Sequence, residues 1–399
     1  MEGNSAAKAE ACAQSRRRRA VKPNLNTKAH AIPHSPGRIL VRGVNWLGDA
    51  IMTTPALQRL RERFPAAHIT LFTAEKLQDI WLHHNAINEV VSFKPGSLAR
   101  AARQLRAGAY DLGVVLPNSM RSALEVWLAG IPSRAGYARG LRKLLLTIAV
   151  PHDPGTMRMR KRTPAEIRRL IAMPGRIIRT AQKGQFRHQI HDYLHLVGAL
   201  GANTEPLAPE ICIGGEELRN TAEKFGLDGS LVPLCALNAG AEYGPAKRWP
   251  AERFIAAAKE IAAKTGCRWL ILGGPADVPL ATSIQSSLRA ARIPSDCLAG
   301  RTSLRELCAV LKLCDVALTN DTGPMHVAAA VGTRVVVPFG STSAELTGPG
   351  LPGDSQHQFL VSNVPCSPCF LRKCPIDFRC MNSISVSQVA EAVVRAMRS

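Results

Sequence analysis

Aromatic side chains are scarce in this 399-residue chain, only 5% of the total, and no RNA-recognition or helix-turn-helix signature accompanies them. Platforms on which bases could stack are therefore few, which argues against a nucleic-acid-binding protein. No apolar run reaches the ~18 residues of a membrane span, and Leu144 to Val150 is far too short. Arg16 to Arg19 have no apolar stretch behind them, so a cleavable leader is not expected and residues 1–35 read as a disordered basic tail. The dinucleotide fingerprint G-x-G-x-x-G is absent from the turn after the first strand of either half, which disfavours a dehydrogenase or a nucleotide-sugar epimerase. D-x-D, the metal-holding signature of many sugar transferases, is absent as well.

Acidic residues are outnumbered, 30 against 51 basic ones, for a formal net charge of +21. The excess is local. Residues 1–35 carry seven basic and two acidic side chains, and residues 134–187 carry fourteen and two. Such fields attract polyanions: nucleic acid, anionic lipid head groups or phosphorylated glycolipids. Most of the eleven cysteines sit singly in apolar segments such as Leu234-Cys235-Ala236, where the thiol acts as a small hydrophobe and fits a reducing cytoplasm.

What is present is a repeated alternation. Ile39-Leu40-Val41 reads as a strand and Ala50 to Arg63 as a helix; His68 to Thr73, Val90 to Phe93 and Asp111 to Leu116 read as further strands, with helices over Ala74 to His84 and Ser97 to Ala107, the latter with Ser97 as a plausible N-cap. After a basic, proline-punctuated stretch near 151–184, expected to be a mobile insertion, a helix from His188 to Leu200 closes the first half. The second half repeats the pattern: strands at Val232 to Asn238, Arg268 to Leu272, Asp315 to Thr319 and Arg334 to Pro338, helices at Ala251 to Lys264, Asp277 to Ala291, Ser303 to Leu311 and Pro324 to Ala330. Continuous apolar strands alternating with amphipathic helices predict an α/β chain of two Rossmann-like doubly wound domains, 36–210 and 211–399, facing each other across a cleft.

Four motifs could carry chemistry. Arg42-Gly43-Val44-Asn45-Trp46-Leu47-Gly48-Asp49 sits where the first strand hands over to a helix, and Asp49 is there either an N-cap or a carboxylate held at the cleft. Asn238 to Pro250 combines small residues with Lys247 and Arg248, a loop suited to wrapping phosphate. Thr319-Asn320-Asp321-Thr322-Gly323-Pro324-Met325-His326 ends a strand and opens a helix whose N–H groups can face a diphosphate, and His326 there is either structural or an added donor. Cys366, Cys369, Cys374 and Cys380 fall within fifteen residues, a spacing that can close a structural zinc site, with a redox-labile pair or free thiols as the alternatives.

Gly48-Asp49 followed by Pro55-Ala56-Leu57, together with Asn320-Asp321-Thr322-Gly323 and Met325-His326, resembles the family 9 glycosyltransferases. Leu116-Pro117-Asn118-Ser119, Ala129-Gly130-Ile131-Pro132 and Gly244 to Pro250 are similar to the type II ADP-heptose:lipopolysaccharide heptosyltransferases within that family. The resemblance spans roughly Arg38 to Ser399 and implies a GT-B fold, with acceptor bound by the N-terminal domain and ADP-sugar by the C-terminal one. It implies inverting transfer of heptose from ADP-heptose to a phosphorylated lipid A–Kdo–heptose acceptor; addition of the first or an outer heptose is the alternative. By the same resemblance Asp49 is the general base, Lys247 neutralises the diphosphate, Asp321, Thr322, Gly323 and His326 bind the donor, and Asp277 reaches the ribose. Gly48, Asn118 and Ser119 fall on the acceptor side. Without D-x-D, Lys247 and the helix start at Thr322 are the groups available to stabilise the leaving diphosphate, so no cofactor is expected in catalysis. The enzyme is expected in the cytoplasm, held peripherally on the anionic inner face of the membrane. The basic insertion and the cysteine segment depart from the pattern of some relatives, which bears on the acceptor more than on the donor.

Overall fold

Apolar runs too short for helices become strands, because a strand buried on both faces needs only four or five water-avoiding residues. In the computed structural model, which describes residues 35–94, 96–153, 160–172, 187–229 and 232–398, these runs assemble two six-stranded parallel sheets. The first comprises β1 (Arg38–Arg42), β2 (His68–Ala74), β3 (Glu89–Phe93), β4 (Leu112–Val115), β5 (Ser133–Tyr137) and β6 (Ile148–Val150), ordered β3-β2-β1-β4-β5-β6. The second comprises β7 (Leu234–Asn238), β8 (Arg268–Ile271), β9 (Ser295–Cys297), β10 (Val316–Thr319), β11 (Arg334–Phe339) and β12 (Gln358–Val361), ordered β12-β11-β10-β7-β8-β9. Each sheet thus runs third, second, first, fourth, fifth, sixth, and reverses direction between its first and fourth strands. Ligands of such sheets bind beyond the carboxyl ends at that reversal. All the candidate motifs but the cysteine segment follow these strands: Asp49 after β1, Asn118 after β4, the Lys247 loop after β7 and Asp321 after β10.

The helices of the first half are α1 (Leu47–Met52), α2 (Thr54–Arg63), α3 (Leu98–Arg106), α4 (Met120–Leu128), α5 (Pro164–Ala172) and α6 (Ile190–Gly198). Those of the second, besides single turns at Ala344–Thr347 and Arg379–Asn382, are α7 (Gly215–Phe225), α8 (Ala251–Thr265), α9 (Val278–Ala290), α10 (Leu304–Leu313) and α11 (Gly323–Ala330), and α12 (Val386–Arg398) packs on α8. The single helix expected over Ala50 to Arg63 is two. Pro55 lies in the first turn of α2, where its missing N–H costs nothing, and the Thr53 and Thr54 hydroxyls bond back to the carbonyls of Ala50 (2.6 Å) and Ile51 (2.9 Å). Ala74 to His84 forms a 3-10 turn over Glu75–Trp81 instead of an α-helix. Ser97 precedes α3 without capping it through its side chain, whereas Ser303 caps α10 reciprocally with Glu306.

The basic tail and most of the 151–184 stretch, residues 154–159 and 173–186, lie outside the described residues. The described part between them, residues 160–172, is tied to the other half. Ile167 of α5 is buried against Cys366 and Cys369 of the other half, while Arg162 donates its backbone N–H to the Cys369 carbonyl (3.0 Å) and its Nη1 to the Pro365 carbonyl (2.9 Å).

Candidate active site

Asp49 is not the cap of its helix. The N-cap of α1 is Trp46, and the Asp49 carboxylate accepts a hydrogen bond from Gln189 Nε2 at 3.1 Å. The Gln189 amide also donates to the Tyr193 hydroxyl (2.9 Å), and its backbone N–H donates to the Leu346 carbonyl across the cleft (2.9 Å). Burial raises the Asp49 carboxyl above the usual carboxylate range, with the Gln189 bond and the charge of Lys247 pulling it back down. A carboxylate with a raised proton affinity and one fixed orientation suits a general base.

Two cavities meet at this residue. One, of about 410 Å³, lies between the two halves and is walled by Gly48, Lys247, Asp321, Thr322, Gly323 and His326, with Lys161, Tyr243 and Arg372 at its other side. The second, of about 470 Å³, lies mainly in the first half, with Leu346 of the second in its wall, and is walled by Asn118, Tyr137, Arg139, Arg187 and Tyr193. Trp46, Asp49 and Gln189 belong to both walls. A base between two ligand-sized spaces can take a proton from a group in one while that group attacks a carbon held in the other.

The first cavity is braced from within the second sheet. Asn320, fully buried, accepts from the Trp249 backbone N–H (2.9 Å) and donates to the Ala239 carbonyl (2.8 Å), so the end of β10 holds both ends of the Lys247 loop. Lys247 Nζ pairs with Asp321 at 2.7 Å and lies 5.0 Å from the centre of the Tyr243 ring. The Thr342 hydroxyl donates to the same Asp321 carboxylate. Asp321, expected among the donor ligands, thus positions the lysine. Thr322 starts α11 with its hydroxyl uncommitted to capping, which leaves it and the helix N–H groups directed at the cavity.

His326 and Gly48 are a fitted pair. A Cβ on Gly48 would lie 2.5 Å from the His326 ring, and one on Gly323 would lie 2.9 Å from the Leu47 side chain, so glycine is what lets α1 and α11 touch across the cleft. Gly48, expected on the acceptor side, accordingly lines the cavity between the halves. Burial pushes the His326 imidazole down to about 3, and it is a neutral wall group at ordinary pH.

Two expected site residues, Asp277 and Ser119, line neither cavity. The Asp277 carboxylate accepts the Gly274 backbone N–H (3.1 Å) and lies where a side chain on Gly240 would be, so it caps a turn. Ser119 caps α4 by accepting the Ser122 N–H at 3.1 Å, while its neighbour Asn118 does reach the second cavity. Cys366, Cys369, Cys374 and Cys380, the thiols of the expected zinc site, lie near enough together that their neighbours help raise the pKa of Cys366 and Cys380, though among the described residues no three His, Cys, Asp or Glu side chains are grouped to hold an ion. Cys366 and Cys369 instead pack on Ile167, and burial pushes the Cys380 thiol up to about 12, the behaviour of small hydrophobes. Gln189 and Thr342 lie outside every motif of the sequence, whereas Tyr243 sits in the phosphate-wrapping loop and Arg372 within the cysteine segment.

Two parallel sheets of identical winding, facing each other with a ligand cavity at their reversal points and a buried carboxylate at the junction, define a GT-B glycosyltransferase. The chain belongs to glycosyltransferase family 9 (heptosyltransferase), which it matches over residues 98–165 and 166–378. It is 29% identical over 324 residues to lipopolysaccharide heptosyltransferase 2 of Escherichia coli, 78% of this chain and 85% of that protein. To lipooligosaccharide heptosyltransferase 2 of Haemophilus influenzae it is 27% identical, with the same coverage. Among solved structures, the fold is shared with E. coli ADP-heptose lps heptosyltransferase II (TM-score 0.71, 24% identity, 90% of this chain and 98% of that one). A family 9 glycosyl transferase from Veillonella parvula superposes equally well (TM-score 0.72, 25% identity, 91% and 97%).

Proposed function

We propose that the protein transfers L-glycero-D-manno-heptose from ADP-heptose, with inversion, to the heptose of a phosphorylated lipid A–Kdo–heptose acceptor, adding the second heptose of the lipopolysaccharide inner core. The observation that carries this reading is Asp49 in the shared wall of the two cavities. ADP-heptose occupies the space between the halves, its diphosphate against Lys247 and the start of α11; the acceptor heptose enters the space beside Asn118 and Arg139. Asp49 removes the proton of the acceptor hydroxyl as that oxygen attacks the anomeric carbon from the face opposite the diphosphate. The naming of the relatives as heptosyltransferase 2 supports the choice of donor and of the second heptose. Incubation with ADP-heptose and acceptors truncated before and after the first heptose, followed by product mass and linkage, tests it. Transfer to the acceptor that lacks heptose would instead make this the enzyme of the first one.

The leaving diphosphate is stabilised by protein groups in this reading, so activity should persist through brief treatment with EDTA; loss of turnover restored by a divalent cation would refute it. Zinc is likewise no requirement of the fold, and protein purified under reducing conditions should contain well under one equivalent by elemental analysis. No helix among the described residues is long and apolar enough to cross a membrane. The enzyme works at the cytoplasmic face of the inner membrane, where anionic lipid and acceptor phosphates attract the basic residues around Arg160, Lys161 and Arg162, each able to contribute about 1 kcal/mol at such a surface. Binding to anionic vesicles that weakens as salt is raised is the expected result, and binding indifferent to lipid charge would remove this part of the reading.

A further inference from the structure

Leu141 and Leu144 are each 72% exposed, on a 3-10 turn spanning Gly140–Leu145. In a helix of three residues per turn, positions three apart eclipse, so the two leucines stand together on one face. They cannot turn inward. Arg142 between them is buried and donates to the carbonyls of Tyr137, Pro117 (2.9 Å) and Ser119 (3.2 Å), and Leu146 is buried in the core behind the turn. The turn packs against α4, which exposes Met120 and Trp127, seven residues apart and hence also on one face. Of the nine large apolar side chains exposed among the described residues, four therefore fall on these two adjoining elements.

Isolated exposed leucines are common and mean little, but a cluster of this kind marks a contact surface. Its surroundings identify the partner. Arg139 and Lys143 flank the leucines as exposed cations, and the acidic residue of this stretch, Glu125, is buried and paired with Arg42 and Arg121. Arg139 and Asn118 also wall the cavity assigned above to the acceptor. Apolar side chains projecting between cations, at the mouth of a cavity for a lipid-linked substrate, match an anionic bilayer surface, where apolar groups enter below the head groups and cations remain among them.

We infer that Leu141 and Leu144, with Met120 and Trp127 beside them, insert into the anionic membrane and turn the acceptor cavity toward it. This rests on the proposed lipid-linked acceptor. It adds an apolar contact to the electrostatic attraction, and the two differ in their response to salt: screening at about 1 M reaches to ~3 Å and abolishes long-range attraction, whereas apolar burial persists. The test is sedimentation of the full chain with vesicles of phosphatidylglycerol and phosphatidylcholine, at low and high salt. Leu141→Ser with Leu144→Ser should lower the partition coefficient at least about tenfold at both salt concentrations, with ADP binding unchanged. Hydrogen exchange on the unsubstituted protein should show the amides of 139–146 slowed by vesicles. If the doubly substituted protein binds as well as its parent and those amides are unaffected, the insertion surface is refuted while the membrane reading stands. If the parent itself binds no vesicles, both fall.

Discussion

Asp49 and Gln189 make a pair whose two members can be separated by experiment. Replacing Asp49 with Asn preserves size and removes the base, so turnover should fall roughly 10²-fold or more while ADP affinity, measured by calorimetry, stays close to that of the parent. Near-normal turnover would return Asp49 to a structural role. The Gln189 amide donates to the Asp49 carboxylate as well as to the Tyr193 hydroxyl, and the first of these bonds lowers the Asp49 pKa against the upward effect of burial. Gln189→Leu should therefore raise that pKa further. Because the base acts only when deprotonated, the acidic limb of the kcat/KM profile should move to higher pH, with turnover recovering once pH exceeds the new value. An unshifted limb with uniformly low activity would show that Gln189 merely supports packing.

At the scale of elements, α1 and α11 decide whether the cleft is closed. Their contact depends on two glycines that carry no side chain where the His326 ring and the Leu47 side chain already stand. Gly48→Ala forces a methyl group into 2.5 Å of the His326 ring, and overpacking of this kind typically costs 1–3 kcal/mol. The strain is relieved by parting the helices, so this substitution should enlarge the radius of gyration in solution scattering and reduce activity, while Ala at the solvent-facing Gly229 should do neither. An unchanged radius with unchanged turnover would mean that the helices do not govern closure. The same contact explains why His326 is neutral: an imidazole closed in by the partner helix has no water with which to share a positive charge.

Across the whole molecule, acid should be the condition that parts the halves. His188 Nδ1 accepts the Ile190 backbone N–H (3.3 Å), which leaves the proton on Nε2 to donate to the Gly348 carbonyl of the opposite half at 2.8 Å. Burial, opposed by that Gly348 bond, pushes the His188 pKa down to about 4. The unfolded chain, with a histidine pKa near 6.5, binds the proton first. Stability from this group is thus complete above pH ~6.5 and is lost as pH falls from there toward about 4, amounting to on the order of 3 kcal/mol. His84, also held near 4, and His326 act in the same direction. The melting temperature should drop across that window, and His188→Asn should lower it at neutral pH yet flatten its dependence on acid. A profile flat down to pH 4 in the parent would contradict the linkage.

Much of this was legible in the chain by itself. Parallel strands covered on both faces must be continuous apolar runs, and such runs as Ile39-Leu40-Val41 and Arg334 to Pro338 announce the two wound halves and put Asp49, Lys247 and Thr322 at strand ends. The strands β5, β6, β9 and β12 left no comparable trace, since Ser133–Tyr137 includes arginine and glycine, Ile148–Val150 and Ser295–Cys297 have three residues each, and edge positions need less apolar surface. Gln189 was invisible because a hydrogen bond to a carboxylate 140 residues away leaves no periodicity at either end. Sequence determined which residues could do chemistry, through local pattern and motif. Tertiary structure decided which of them meet: it turned Asp277 and Ser119 into caps, set Asp321 to hold a lysine, and used the cysteines to dock α5. The reason is physical, for proximity across two sheets is fixed by packing and loop closure over long chain separations, and those terms act only once the chain has folded.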